Sequence, residues 1–162
     1  MRSTSRAILN ADQFNVRQMR NYVTFCYPER FVRYSEEDGI LSAAGADWFA
    51  SLLRRVPSLE VDPKLCQEDW GVVIFVSRNR RRFWIGLSMW PEGDSAWLAH
   101  VHHHSFAWFQ RLTSSGKREL NALIGDIQKV LSGEASVSGL TWYREADMKT
   151  ARPSGRSTPE EG

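Results

Sequence analysis

Gly71-Val-Val-Ile-Phe-Val-Ser77, Arg78-Asn-Arg-Arg81 and Arg82-Phe-Trp-Ile-Gly-Leu-Ser-Met-Trp90 follow one another without interruption. The outer two stretches are β-branched and aromatic, which favours strands, and Asn79 tolerates the positive φ of a tight turn between them. Pro91-Glu-Gly-Asp-Ser95 reads as a second turn, and Ala96 to His104 as a third strand. The centre of the chain is therefore predicted to be a three-stranded antiparallel meander.

Its register follows from alternation, because directly opposed residues share a face. A loop at 78–81 sets Val76 opposite Phe83, Ile74 opposite Ile85 and Val72 opposite Leu87, an apolar face for the core. The third strand has two registers, which exchange its faces. A four-residue turn would set His100 and His102 among aliphatic side chains, where imidazoles without partners cost free energy. The five-residue turn 91–95 avoids this. It sets Met89 opposite Trp97, Ile85 opposite Val101, Trp84 opposite His102 and Gly86 opposite His100, with Arg82 near His104. The second face then carries Phe75, Trp84, Trp90, His100, His102 and His104, rimmed by Arg82.

Working outward, Asn21 to Tyr27 is strand-like, and Phe31 to Tyr34 continues or pairs with it. Apolar residues at helical spacing run from Leu41 to Val56, where Pro57 ends them. A second helix is expected from about Gly116 to Leu131, capped by Ser114 or Ser115 and stopped at Gly133, after a short helical lead-in at Phe106 to Leu112. Gly139 to Arg144 reads as a last strand. The order β-α-β-β-β-α-β describes an α+β fold, an antiparallel or mixed sheet with two helices packed on one face. Residues 1–12 are expected to be a flexible N-terminus, 13–148 a single domain, and 149–162 a disordered tail.

The 162 residues carry 21 basic and 19 acidic groups, and the body from 13 to 148 balances at 16 of each. That body lacks the net positive field typical of nucleic-acid binders. Cys26 and Cys66 are too few for a disulfide framework or a cysteine zinc site, and read as reduced thiols. The first residues lack the apolar core of a secretory signal, and the apolar runs are too short to span a membrane. A cytoplasmic protein is expected.

Three groups of residues carry chemical potential. His100, His102 and His104 project from one side of a strand about 7 Å apart, and offer weak candidate metal ligands; otherwise they fill an amphipathic sheet surface. Arg78, Arg80, Arg81 and Arg82 crowd a hairpin beside Trp84, a pattern that meets phosphates or an acidic protein, or is a solvated turn. Trp84, Trp90 and Arg82 are residue types in which binding energy concentrates. Glu36, Glu37 and Asp38, with Glu68 and Asp69, read as loop carboxylates. No GxGxxG, GxxxxGK[ST] or GxSxG stretch occurs.

Glu68-Asp-Trp-Gly71 and Phe83-Trp-Ile-Gly-Leu87 resemble the tryptophan–glycine punctuation of small uncharacterised bacterial α+β proteins, some of immunity-protein type. The likeness covers the meander and the helix after it. It implies a protein that binds and blocks a toxin without catalysis, although the acidic bias common in such inhibitors is absent.

The combined expectation is a non-catalytic protein-binding module, immunity-like or regulatory, with no cofactor. Its binding residues are Arg80, Arg81, Arg82, Trp84, Trp90, His100, His102 and His104. The alternatives are a small-ligand or metal-dependent enzyme at the histidines, and nucleic-acid binding through the hairpin. A homodimer would occupy the same face.

Overall fold

The computed structural model describes residues 20–27, 43–90, 96–104, 113–149 and 155–159. Among these residues the chain forms β1 (Tyr22–Cys26), α1 (Ala43–Arg54), β2 (Glu60–Val61), β3 (Cys66–Glu68), β4 (Gly71–Arg78), β5 (Arg81–Met89), β6 (Ala96–His103), α2 (Ser114–Ser132) and β7 (Ser138–Tyr143). A single turn of 3-10 helix, Asp147–Lys149, follows. The expected α+β architecture is present, and every strand pairing is antiparallel.

The sheet runs β2-β4-β5-β6-β1-β7, with β3 also paired to β4. The meander adopts the expected register: Val76 faces Phe83, Ile74 faces Ile85, Trp84 faces His102 and Met89 faces Trp97. Its first turn is tighter than the expected four-residue loop. Arg78 pairs with Arg81, leaving only Asn79 (φ 47°) and Arg80 (φ 64°) in the left-handed region. Two successive positive φ values describe the hairpin turn whose twist matches that of its strands.

Two short strands depart from the expected order. The chain after α1 lays Glu60–Val61 and then Cys66–Glu68 along the free edge of β4. At the other side, β1 sits between β6 and β7, so the first and last strands close the sheet. Phe31–Tyr34 and Phe106–Leu112 lie outside the described residues.

Both helices cover one face. Phe25, Phe49, Leu52, Leu53, Ile74, Phe83, Ile85, Leu87, Val101, Leu123, Ile124, Ile127 and Leu131 are buried there together. Each such apolar side chain contributes about 1.5–3 kcal/mol on leaving water. Gly45 lets α1 approach the sheet, since a Cβ there would meet the Trp97 ring at 2.2 Å. Trp142 is fully buried, and its indole N–H donates to Gln128 on α2. The helix cap is Thr113, not Ser114 or Ser115: its hydroxyl accepts the Gly116 N–H at 3.0 Å. Gly133 ends α2 as expected, though with φ −81°, in the right-handed region.

Within the stretch expected to form a disordered tail, Arg156 exchanges backbone hydrogen bonds with Trp142. Pro159 accepts the Arg20 N–H at 3.0 Å, drawing both ends of the described chain to the β1–β7 edge.

Candidate functional site

On the face opposite the helices, alternation collects Tyr22 from β1, Trp84 from β5, and His100 and His102 from β6. The Trp84 ring stacks on His102 at 4.5 Å and 20°, while Tyr22 stacks on His100 at 5.5 Å and 16°. His100 and His102 meet edge to face at 5.2 Å. Trp70, from the β3–β4 turn, leans over this group, 5.2 Å from His100 and 6.4 Å from Trp84.

Gly86 makes the arrangement possible. It lies mid-strand on β5, opposite His100, and a Cβ there would meet His100 Nε2 at 2.2 Å and the Trp70 ring at 2.7 Å. A glycine inside a strand weakens it, and commonly marks a close approach of other groups. Here the approaching groups are the two rings. Trp70 remains 42% exposed, the one large hydrophobic side chain so exposed among the described residues.

The environment sets the charge of the histidines. Burial, assisted by the neighbouring His102, lowers the His100 pKa from 6.5 to about 4, so its ring is neutral near pH 7. Its buried Nδ1 has no hydrogen-bond partner among the described residues. Burial, and secondarily the Glu145 carboxylate, raise the Tyr22 hydroxyl above its ordinary 10.

The expected site residues divide into several settings. Trp84, His100 and His102 form the cluster. His104 lies further along the same face with its ring edge-on to Phe75 at 5.0 Å. Its backbone N–H donates to the Arg82 carbonyl, confirming their adjacency. Trp90 is half-buried one residue past β5 and makes no ring contact with the cluster among the described residues. No group of three or more His, Cys, Asp or Glu side chains converges on a common point among the described residues. His100 and His102 are instead engaged with aromatic rings.

The arginines also separate. Arg78 ion-pairs with Glu119 at 3.2 Å and with Asp126, and donates to Ser58, so it ties the hairpin to α2. Asn79 donates to the same Glu119 at 3.0 Å, and Arg81 donates to Ser115 at 3.1 Å. Arg81 therefore turns toward the helices. Arg80 is exposed at the turn, and Arg82 is exposed on the opposite face, 3.9 Å from Asp62. The four guanidinium groups do not make one patch.

Sequence reasoning did not include Trp70 or Tyr22 in the site. Tyr22 faces His100 only because β1 pairs with β6, a long-range pairing that no local pattern encodes. Trp70 is carried in by the turn that follows β3. Its signal was the Glu68-Asp-Trp-Gly71 run, a polar turn holding a large ring.

No family model, curated protein or solved structure matches the chain. Among the described residues no helix is long and apolar enough to cross a membrane.

Proposed function

We propose that the chain is a non-catalytic protein-binding module whose partner docks on the face opposite the helices, centred on Trp70 and Trp84. The observation that carries this reading is the 42% exposed Trp70, braced against Trp84 and His100. A tryptophan held in one place by other rings loses little freedom on binding, which is how hot-spot residues concentrate affinity.

Charge favours a protein over a nucleic acid. Glu68 and Asp69, both exposed, adjoin Trp70, so a polyanion stacked on that ring would run beside two carboxylates. Arg82 and Lys64 lie exposed toward the β2–β3 edge. A protein surface of mixed charge with an apolar centre complements this pattern. An immunity-like or regulatory role in a bacterial cytoplasm is the biological setting we propose, consistent with two free cysteines.

The test uses the full chain, its Trp70→Ala variant and its Arg80→Ala variant as baits in nuclease-treated host lysate. Captured proteins are quantified, then titrated in purified form. One protein should bind stoichiometrically, and Trp70→Ala should weaken it by at least about thirtyfold. Arg80→Ala should leave it unchanged. Equal binding by wild type and Trp70→Ala overturns the reading, as does a free chain that light scattering shows to be a dimer occluding Trp70.

A further inference from the structure

Charge is unevenly spread over the face that carries Trp70. By register, Glu60 on β2 lies opposite Ser77, Glu68 on β3 opposite Gly71, and Arg82 on β5 opposite Ser77, so all three belong to this face. Asp62 and Lys64 join them from the link between β2 and β3. Asp62 is matched by Arg82 at 3.9 Å, and Glu145, the carboxylate near Tyr22, by Lys149 at 3.4 Å. Glu60, Glu68 and Asp69 are exposed and have no ion pair among the described residues. Against these three stands one unmatched cation of the β2–β3 link, Lys64, so the balance is negative.

Two of the three unmatched carboxylates, Glu68 and Asp69, immediately precede Trp70. The cations stand further off. The Trp70 ring lies over Gly86, and Arg82 is four residues from Gly86 along β5, about 13 Å at the rise of a strand. Arg80 sits at the hairpin tip, the other end of β4 from Trp70. The indole, supported by Trp84 and His100, keeps part of its π surface open to solvent. His100, which burial keeps neutral near pH 7, puts no positive charge against that ring. Indole is the best aromatic partner for a cation. A planar guanidinium lies flat on such a ring while the N–H groups at its rim form the paired hydrogen bonds that a carboxylate accepts. A lysine ammonium lacks that flat, forked geometry.

We propose that the protein docking on this face presents an arginine that stacks on Trp70 and donates its guanidinium N–H groups to Glu68 and Asp69. This inference rests on the docking reading above and names the chemistry of the partner's central contact. It gives the two carboxylates a role that the indole alone does not explain. Unmatched negative charge beside an exposed ring draws in a basic surface and turns away an acidic one, so the pair supplies discrimination where the indole supplies area.

The test titrates the full ¹⁵N-labelled chain with acetyl-Gly-Arg-Gly-amide and follows the Trp70 indole N–H resonance, assigned with a Trp70→Phe chain. Matched peptides carry citrulline, which has the shape of arginine without its charge, or lysine. The arginine peptide should shift the resonance saturably with a Kd in the millimolar range. Citrulline should bind at least about tenfold more weakly, and lysine about threefold. In a Glu68→Gln/Asp69→Asn chain, whose changes are exposed and leave the core intact, the arginine peptide should bind about tenfold more weakly and lose its sensitivity to salt between about 50 and 300 mM. Absence of an arginine-dependent shift, equal binding by citrulline or lysine, or an affinity that survives the double substitution overturns the proposal. The captured partner separates this inference from the docking reading. Binding lost in Trp70→Ala but kept in Glu68→Gln/Asp69→Asn leaves the docking surface standing and overturns the arginine assignment.

Discussion

Lowering the pH from 7.5 to 5.0 should destabilise the protein through His100 in particular. In the folded chain the ring titrates near 4, against 6.5 when free of the fold. Between those values the unfolded state holds the extra proton, so stability is fully present above about pH 6.5 and falls as the pH drops toward 4. Linkage at about 1.4 kcal/mol per pH unit gives a loss of about 2 kcal/mol by pH 5.0. Because the ring is not fully enclosed, solvent screening reduces this to about 1–1.5 kcal/mol. Urea unfolding followed by tryptophan fluorescence measures the change, and His100→Gln isolates it from other groups that titrate over the same range. The variant should lose less stability than wild type over that interval by this amount. The His100 imidazole proton resonance should titrate well below those of solvent-exposed histidines. A His100 midpoint at or above about 6, or identical pH slopes for the two chains, would refute the reasoning.

Gly86→Ala should cost about 1–3 kcal/mol, the usual range for overpacking a filled site. The rings it meets are side-chain ends, so the sheet should survive while His100 and Trp70 are pushed outward, and the His100 midpoint should climb toward 6.5 in an NMR titration. Arg78→Met should remove the guanidinium shared by Glu119 and Asp126 and lower stability by about 1–3 kcal/mol. Arg80→Ala, at the exposed tip, should change it by less than about 0.5 kcal/mol in the same chemical-denaturation assay.

The meander was legible because its residues obey one rule at a time. Val72, Ile74 and Val76 alternate with Val73, Phe75 and Ser77, and the penalty for burying His100 and His102 beside aliphatics was enough to choose between two turn lengths. The short strands were not legible. Glu60–Val61 and Cys66–Glu68 are too brief to show a period, and residues such as Glu and Gln carry little strand preference. They pair because the edge of β4 offers unpaired backbone groups. Trp70 is carried by the turn that follows the second of them, so it could not be located without it. The arginine hairpin failed for a different reason. Arg78 and Arg81 look like loop residues until a two-residue turn draws them into the ladder and points them at Glu119, Asp126 and Ser115.

Where a fold departs from its own rules, function is the usual reason. The helix side mostly keeps them: alternating apolar residues, a capped α2, and a buried Trp142 whose indole N–H has an acceptor. Its lapses among the described residues are Trp97, whose buried indole N–H lacks a partner, and His103, an imidazole buried beside the Phe83 ring. The opposite face departs three times within one cluster. It places a glycine in the middle of β5, leaves the buried Nδ1 of His100 without a hydrogen-bond partner among the described residues, and exposes Trp70. Glycine in a strand interior is destabilising by about 0.5–1 kcal/mol, and an unpaired buried polar atom by about 1–3 kcal/mol. These are one structural decision. Without a side chain at position 86 His100 can lie flat against the sheet, and His100 in that position supports Trp70 at the surface. A sheet built only for stability would carry a β-branched residue at 86 and a polar one at 70; the departures together hold an indole at the surface, and it is on that indole that the proposed docking reading rests.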